Sequence, residues 1–127
     1  MKIIHHEITP ENILFVDKKG PKSLLKLIHF GSSLHFDPHK KVQSCAGSAH
    51  YLAPEIFNSE GKEYPIHKCD LWSCGVLMHL LLLGHPPFEG KNNHEIIDNM
   101  KASEVSFESP EWKYVSPEAK DLVSKLL

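Results

Sequence analysis

The sequence contains no apolar run long enough to cross a bilayer. Its longest such run, Leu71 to Leu83, is interrupted by Ser73 and His79, whereas a spanning helix needs about 20 consecutive apolar residues. The N-terminal stretch MKIIHHE has one lysine and lacks the long apolar core of a secretory signal. Both absences predict a protein without membrane contact and with a cytoplasmic location.

Cysteine is scarce, and its three copies are odd in number. Two of them, Cys69 and Cys74, fall within one apolar stretch. Extracellular disulfide frameworks typically use even numbers of spaced cysteines, so this pattern indicates reduced thiols that pack as small apolar side chains. We interpret the third, Cys45, in the same way.

An excess of charge of one sign is also missing. Fourteen basic residues face sixteen acidic ones, for a net charge of −2, and no basic cluster suited to a phosphate backbone is present. A calcium loop of the DxDxDG type is absent as well. Ten histidines occur, but without a closely spaced ligand pattern. We therefore expect no nucleic-acid partner, no calcium site and no metal site.

The 127 residues are 41% hydrophobic and contain no repeat, which is typical of one globular unit with a modest core. Two short apolar runs, Ile13 to Val16 and Leu24 to Ile28, are joined by a charged stretch with glycine and proline, a pattern that predicts a β-hairpin. Residues 31 to 53 have no sustained period and are interpreted as a long functional loop.

Helices are predicted in the second half of the chain. The segment Asp70 to Leu83 is apolar on nearly all sides, as expected of a buried helix at the centre of the core. Asn92 stands three residues before Glu95, which resembles a capping pair at the start of a helix. The triplet 116–118, Ser-Pro-Glu, predicts another helix start. That last helix is still apolar at Leu127, so we expect the natural fold to continue.

Four motifs occur in order: HHEITPEN at 5–12, HFG at 29–31, APE at 53–55 and CDLWSCGV at 69–76. Together they resemble the C-terminal lobe (C-lobe) of a eukaryotic protein kinase. The closing run FESPEWKYVSPEAKDLVSKLL, with GHPPFEG before it, is most similar to calcium-dependent and calmodulin-dependent Ser/Thr kinases. The resemblance covers essentially residues 1–127 and implies a mainly α (α+β) fold, with a small β-hairpin and helices around a buried central helix.

The resemblance assigns roles within HHEITPEN, which aligns with the family pattern H-R-D-L-K-P-E-N. Glu7 takes the place of the aspartate that accepts the substrate hydroxyl proton. Its extra methylene matters, because a displacement of about 1 Å can cost roughly a hundredfold in rate. Thr9 replaces the lysine that neutralises the transferring phosphoryl group. His6 replaces an arginine that pairs with a phosphorylated activation loop, and it lacks the planar fork.

The resemblance also implies two magnesium positions, of which one is altered. Asn12 matches the family residue, but His29 replaces the metal-binding aspartate of the DFG motif. Magnesium prefers oxygen ligands, so an imidazole is a poor substitute. The N-terminal lobe (N-lobe), with its glycine-rich loop, strand lysine and hinge, has no counterpart in these residues. We therefore expect no cofactor in this chain, and Mg-ATP only with an N-lobe and a working site.

Structural and regulatory positions follow from the same resemblance. Glu55 matches the APE glutamate, whose family partner is an arginine located after the region matched here. Asp70 matches the acid that holds the backbone of the catalytic loop; it would also be favourable simply at the positive end of a helix. Ser44 and Ser48 are possible phosphorylation sites, although ordinary solvated loop serines are the favoured interpretation.

Three functional hypotheses remain. The first is a pseudokinase fragment that acts through protein partners, which the changes at Glu7, Thr9 and His29 favour. The second is a low-activity Ser/Thr kinase that transfers the ATP γ-phosphate when an upstream N-lobe is present; retained Asn12 and the intact GSAHYLAPE stretch support it. The third is an interaction module whose surface comprises residues 94–100 and loop 31–52.

Overall fold

The computed structural model describes residues 3–35, 47–57, 68–102 and 104–127. Its strands are β1 (Ile3–Ile4), β2 (Ile13–Phe15), β3 (Leu25–Leu27) and β4 (Leu34–His35). Its α-helices are α1 (Pro54–Phe57), α2 (Cys69–Leu83), α3 (Asn93–Ala102) and α4 (Pro117–Leu126). Short 3-10 helices cover Pro10–Asn12, Gly20–Lys22, Phe30–Ser32 and Pro110–Tyr114.

The predicted hairpin is confirmed. Strands β2 and β3 pair antiparallel, with Ile13 opposite Leu27 and Phe15 opposite Leu25. In the connection, the Asp17 carboxylate accepts a hydrogen bond from the Lys19 backbone N–H at 2.9 Å. Such aspartate turns are a common way to satisfy the backbone where a chain reverses.

The prediction of an irregular loop over residues 31–53 is wrong at its start. Residues Leu34–His35 form β4, which pairs antiparallel with β1, so that Ile3 faces His35 and Ile4 faces Leu34. The pairing is made across 30 residues of chain and depends on tertiary context, which local periodicity does not encode. Residues 36–46 of that loop lie outside the described residues, and so does Cys45.

A small apolar cluster joins these strands to the helices. Ile4 of β1 packs with Ala53, Ile56 of α1 and Cys69 of α2, all at most 8% exposed. Leu34, Leu52 and Trp72 pack against them.

Burial raises the pKa of the Cys74 thiol in the next turn of α2, and the Asp70 charge adds to the effect. Both described cysteines therefore behave as the packed thiols that the sequence predicted.

Helix α2 begins one residue before the predicted start and ends at Leu83 as expected. Gly84 closes it in the left-handed conformation, φ 85°, and donates its N–H to the Leu80 carbonyl at 2.8 Å. Val76 is fully buried. The prediction that protein surrounds the helix is wrong on one side, where Leu71 is 53% and Leu81 75% exposed.

The open side of α2 faces the β2–β3 hairpin across an apolar groove of about 620 Å³. The groove is lined by Ile8, Ile13, Leu25, Leu27, Leu77 and Leu81, among others. An apolar helix surface favours burial, but it does not specify which element of the fold covers it.

Within the described residues no helix in the chain is long and apolar enough to span a membrane.

The two predicted capping arrangements are present. The Glu95 N–H donates to Asn92 Oδ1 at 3.0 Å, and the Glu95 carboxylate accepts from the Lys91 N–H at 2.8 Å. The return bond therefore reaches one residue before the cap rather than the cap itself. Ser116 Oγ accepts from the Ala119 N–H at 3.2 Å and begins α4.

Helix α4 packs on α2 at Gly75. A β-carbon at this position would lie 2.7 Å from Leu127 Cδ2 and 2.8 Å from Leu126 Cβ. Alanine gains up to about 1 kcal/mol in helix propensity over glycine, but overpacking costs roughly 1–3 kcal/mol. We expect Gly75→Ala to lower the free energy of unfolding by about 1 kcal/mol in urea denaturation.

The matched control for this prediction trims the neighbouring side chain. In a Leu127→Ala background the contacts with Leu127 Cδ2 and Cγ are gone while that with Leu126 Cβ stays, so Gly75→Ala should then cost less than in the unmodified chain. An equal loss in both backgrounds would show that contact with the Leu127 side chain is not the cause.

Candidate functional site

The HHEITPEN segment connects β1 to β2 and is anchored to the start of α2. The Asp70 carboxylate accepts two backbone hydrogen bonds, from the His5 N–H at 2.7 Å and from the His6 N–H at 2.9 Å. These are the contacts that the motif resemblance implied for Asp70. Hydrogen bonds to a charged acceptor are the stronger kind, so they fix the first turn of the segment in place.

His6 has a strained backbone, with φ at 70°. A left-handed conformation costs a non-glycine residue roughly 1–2 kcal/mol, and the Asp70 hydrogen bonds offset this cost. Burial lowers the pKa of the His6 ring, against the opposing effect of the Asp70 charge. The ring is therefore mainly neutral near pH 7, which makes it a weak partner for a phosphorylated residue.

The His5 ring ties the segment to the chain ahead of the HFG motif. Its Nδ1 accepts from the Glu7 N–H at 3.2 Å, and its Nε2 lies 2.9 Å from the Ile28 carbonyl oxygen. Because a carbonyl only accepts, Nε2 carries the proton, and the partners assign the tautomer. The Phe30 ring packs edge-on at 4.8 Å between centroids. The sequence alone had assigned no contact to this ring.

Glu7 and His29 contact each other directly. Glu7 Oε2 lies 3.2 Å from His29 Nε2, although the atoms lack hydrogen-bond alignment, so the buried Oε2 has no hydrogen-bond partner among the described residues. The Glu7 side chain is 19% exposed and that of His29 59%. His29 is also left-handed, with φ at 66°. Glu7, at the position of the family's proton acceptor, thus contacts His29, at the position of the family's metal-binding aspartate.

Asn12 and Thr9 complete the segment without adding charge. Asn12 Nδ2 donates to the Glu7 carbonyl at 2.9 Å, so the amide holds the loop that carries Glu7. Thr9 is only 9% exposed, and its carbonyl accepts from the Asn12 N–H at 3.1 Å. Its hydroxyl supplies no positive charge for a phosphoryl group.

The residues at this site do not fit a magnesium–nucleotide complex. Magnesium in nucleotide sites is held through one or two protein carboxylates together with phosphate and water oxygens, and at the metal-acid position this chain has His29 instead of a carboxylate. The imidazole of His29 lies against Glu7 and offers only nitrogen. Within the described ranges, no three His, Cys, Asp or Glu side chains are grouped so as to hold a metal.

The remaining predicted positions lie apart from this centre. Glu55 is half-buried in α1 and forms no ion pair with a described residue. Ser48 is exposed, and its carbonyl accepts from the Tyr51 N–H at 3.0 Å. Ser44 lies outside the described residues. The phosphorylation hypothesis therefore stays a prediction at both serines.

A hydrogen bond that the sequence did not predict ties the GSAHYLAPE stretch to α2, because Ser73 Oγ donates to the Tyr51 carbonyl at 2.8 Å. The stretch also passes close to the site: Gly47 has φ at 116°, and a β-carbon there would lie 3.6 Å from the His6 carbonyl oxygen. The hydroxyl of Ser73 within a mostly apolar helix was the only local signal for the hydrogen bond.

Comparison with known proteins agrees with this arrangement. The family model described as protein kinase domain matches residues 1–127. The chain is 40% identical over 125 residues to calcium-dependent protein kinase 4 of Plasmodium falciparum, covering 98% of this chain and 23% of that protein. It is 41% identical over 126 residues to calcium-dependent protein kinase 3 of Plasmodium yoelii yoelii, covering 98% of this chain and 22% of that protein.

The chain belongs to the protein kinase domain family. Its resemblance to calcium-dependent protein kinases, read from the motifs, is confirmed at about 40% identity. The chain spans less than a quarter of the length of these curated relatives.

Proposed function

We propose that this chain is the C-lobe unit of a pseudokinase of the calcium-dependent type and that it acts through protein partners in the cytoplasm. The observation that carries the proposal is the 3.2 Å contact between Glu7 and His29. Two acids are needed at these positions, one for the substrate hydroxyl proton and one for magnesium. Here a single acid is present, and the residue at the second position contacts it.

Electrostatics is the physical reason for inactivity. Phosphoryl transfer depends on positioning and on charges that stabilise the migrating negative charge. The metal acid is replaced by His29, and the phosphate-neutralising lysine by the uncharged, buried Thr9. Glu7 Oε2 lies against the His29 ring, 3.2 Å from its Nε2. A nucleotide would therefore meet neither a metal held by two acids nor a lysine.

The interaction half of the proposal is better supported at the hairpin than at α3. Ile96 and Met100 are only 3% and 4% exposed, and Ile97 is half-buried. Residues 94–100 therefore present little apolar surface, and the docking role suggested for them from the sequence stays a prediction. Exposed apolar side chains occur instead on β2, β3 and the turn around them, including Leu14, Phe15, Val16, Leu24 and Leu25.

A low-activity kinase is the second candidate. The observation that favours it is the hydrogen bond from Asn12 Nδ2 to the Glu7 carbonyl, which holds a carboxylate-bearing loop in one conformation. In that case Glu7 would accept the substrate proton when an N-lobe supplies Mg-ATP.

A segment exchange tests the proposal. Residues 1–127 replace the matched segment of the P. falciparum calcium-dependent protein kinase 4, so that a complete kinase surrounds them. We expect phosphotransfer from labelled ATP to a peptide to fall at least about a hundredfold relative to the parent kinase, because positioning errors alone cost this much.

The control is the same exchanged protein with Glu7→Asp, Thr9→Lys and His29→Asp. Recovery of phosphotransfer in this variant would show that the exchanged segment folds and that the three side chains cause the loss. Activity near that of the parent in the unreverted exchange, abolished by Glu7→Ala, would overturn the proposal and establish the low-activity kinase. If the reverted protein does not regain phosphotransfer, the inactivity cannot be assigned to these three residues.

A further inference from the structure

A buried histidine on α2, remote in sequence from HHEITPEN, is not used by the proposed function. His79 is 3% exposed and lies against Trp112, which is 1% exposed; their ring centroids are 5.4 Å apart and the planes are nearly perpendicular. His85 packs edge-on to His79 at 5.3 Å. On its other side, Trp112 contacts Phe107 at 4.8 Å. His79 is thus the titratable member of a buried aromatic cluster.

The cluster joins the end of α2 to the following turn through a hydrogen bond and to the segment before α4 through ring packing. His79 Nδ1 lies 2.9 Å from the His85 carbonyl oxygen, and because a carbonyl only accepts, Nδ1 carries the proton. The contact spans the turn at Gly84, where the chain leaves α2. Trp112 lies in the 3-10 helix Pro110–Tyr114, which leads into α4. The neutral ring therefore links the end of α2 to the segment before α4.

A second proton on His79 would be unfavourable in this cluster. The hydrogen bond to His85 is made by Nδ1, and a charged ring would pack against aromatic rings in a site that is 3% exposed. Burial lowers the pKa of His79; the hydrogen bond to His85 opposes this effect and the charge of His85 adds to it. The titratable groups that act on the cluster are His85 on the turn and, through His85, Glu111 on the 3-10 helix.

We propose that His79 is an acid-sensitive latch: its neutral ring holds the segment around Trp112 against α2, and its protonation releases that segment. The sign follows from linkage. The unfolded or released chain binds a proton at the ordinary histidine pKa, whereas the packed state resists it. Stability from this residue is present above the ordinary pKa of about 6.5. It is lost as pH falls below that value, until the packed state also protonates.

Urea unfolding of the 127-residue chain between pH 8 and pH 5 tests the latch. His79→Asn keeps a donor toward the His85 carbonyl but cannot titrate. We expect the unfolding equilibrium constant of the unmodified chain to rise with acidification by up to about tenfold per pH unit more than that of His79→Asn. The matched control is His94→Asn, on the exposed surface of α3, which should retain the pH dependence of the unmodified chain.

Two measurements keep the proposal testable if His79→Asn folds poorly. The NMR titration of the His79 ring in the unmodified chain should give a pKa below the ordinary histidine value of about 6.5. The sequence contains two tryptophans, so Trp72→Phe leaves Trp112 as the sole tryptophan, and its emission should shift to longer wavelength on acidification before global unfolding. A His79 pKa above about 6.5, or Trp112 emission that stays constant until the whole chain unfolds, would overturn the latch.

Discussion

Replacing Asp70 with asparagine is expected to lower the free energy of unfolding by about 3 kcal/mol, because the two backbone N–H groups bond to different carboxylate oxygens and an amide supplies an oxygen at only one of these positions. Both carboxylate oxygens are in use, one on the His5 N–H and one on the His6 N–H. Hydrogen bonds to charged groups contribute roughly 1.5–3 kcal/mol each, and an unsatisfied donor adds its desolvation cost. In Asp70→Asn, one N–H would face an NH₂ group instead.

The effect should be local as well as global. The left-handed backbone of His6, φ 70°, depends on these bonds, so amide exchange at residues 5 and 6 should accelerate most. Urea denaturation measures the stability change, and hydrogen exchange measures its location. Asp121→Asn is the matched control, since Asp121 is exposed on α4 and its only ion pair with a described residue is with Lys125 one turn away; we expect a loss below about 0.5 kcal/mol there.

Equal losses in the two variants would contradict the anchoring role. So would an Asp70→Asn chain of unchanged stability, because the carboxylate would then not be needed to hold the segment. Faster exchange spread evenly over the chain, without emphasis on residues 5 and 6, would show that Asp70 acts only through the dipole at the start of α2.

Replacing His29 with aspartate is expected to create a divalent-cation site beside Glu7 and Asn12. The change places a second carboxylate within reach of Glu7, whose Oε2 now lies 3.2 Å from His29 Nε2, while the Asn12 amide lies on the same loop. Two acids and an amide oxygen are a hard-ligand set. We expect saturable Mn²⁺ binding with a Kd of order 1 mM, measured by paramagnetic broadening of NMR signals from residues 5–12.

Without metal the same variant should be less stable than the unmodified chain, because two close carboxylates repel each other. Added Mn²⁺ should restore that loss by mass action. His35→Asp, on exposed β4, adds the same charge away from Glu7 and should not bind in this range. Comparable Mn²⁺ broadening in the unmodified chain would contradict the conclusion that His29 is what makes the site unsuitable.

Much of the local structure could be predicted from short-range patterns. The hairpin, α2 and the two caps depend on turn residues, apolar composition and a side chain three or four residues away, and all lie within a few positions of their expected bounds. Strand β4 was missed because its partner, β1, precedes it by 30 residues. Exposure on one side of α2 was missed because an apolar sequence does not show which elements of the fold pack against it.

The candidate site likewise has features that the sequence predicts and features that only the tertiary structure shows. The identity of Glu7, Thr9 and His29, and the family to which they belong, could be read from motif order alone, because chemical type is carried by the side chain itself. The contact between Glu7 and His29, the His5 tautomer and the buried setting of His79 could not. They depend on distances between residues far apart in the chain, and only tertiary packing sets those distances, pKa shifts and partners.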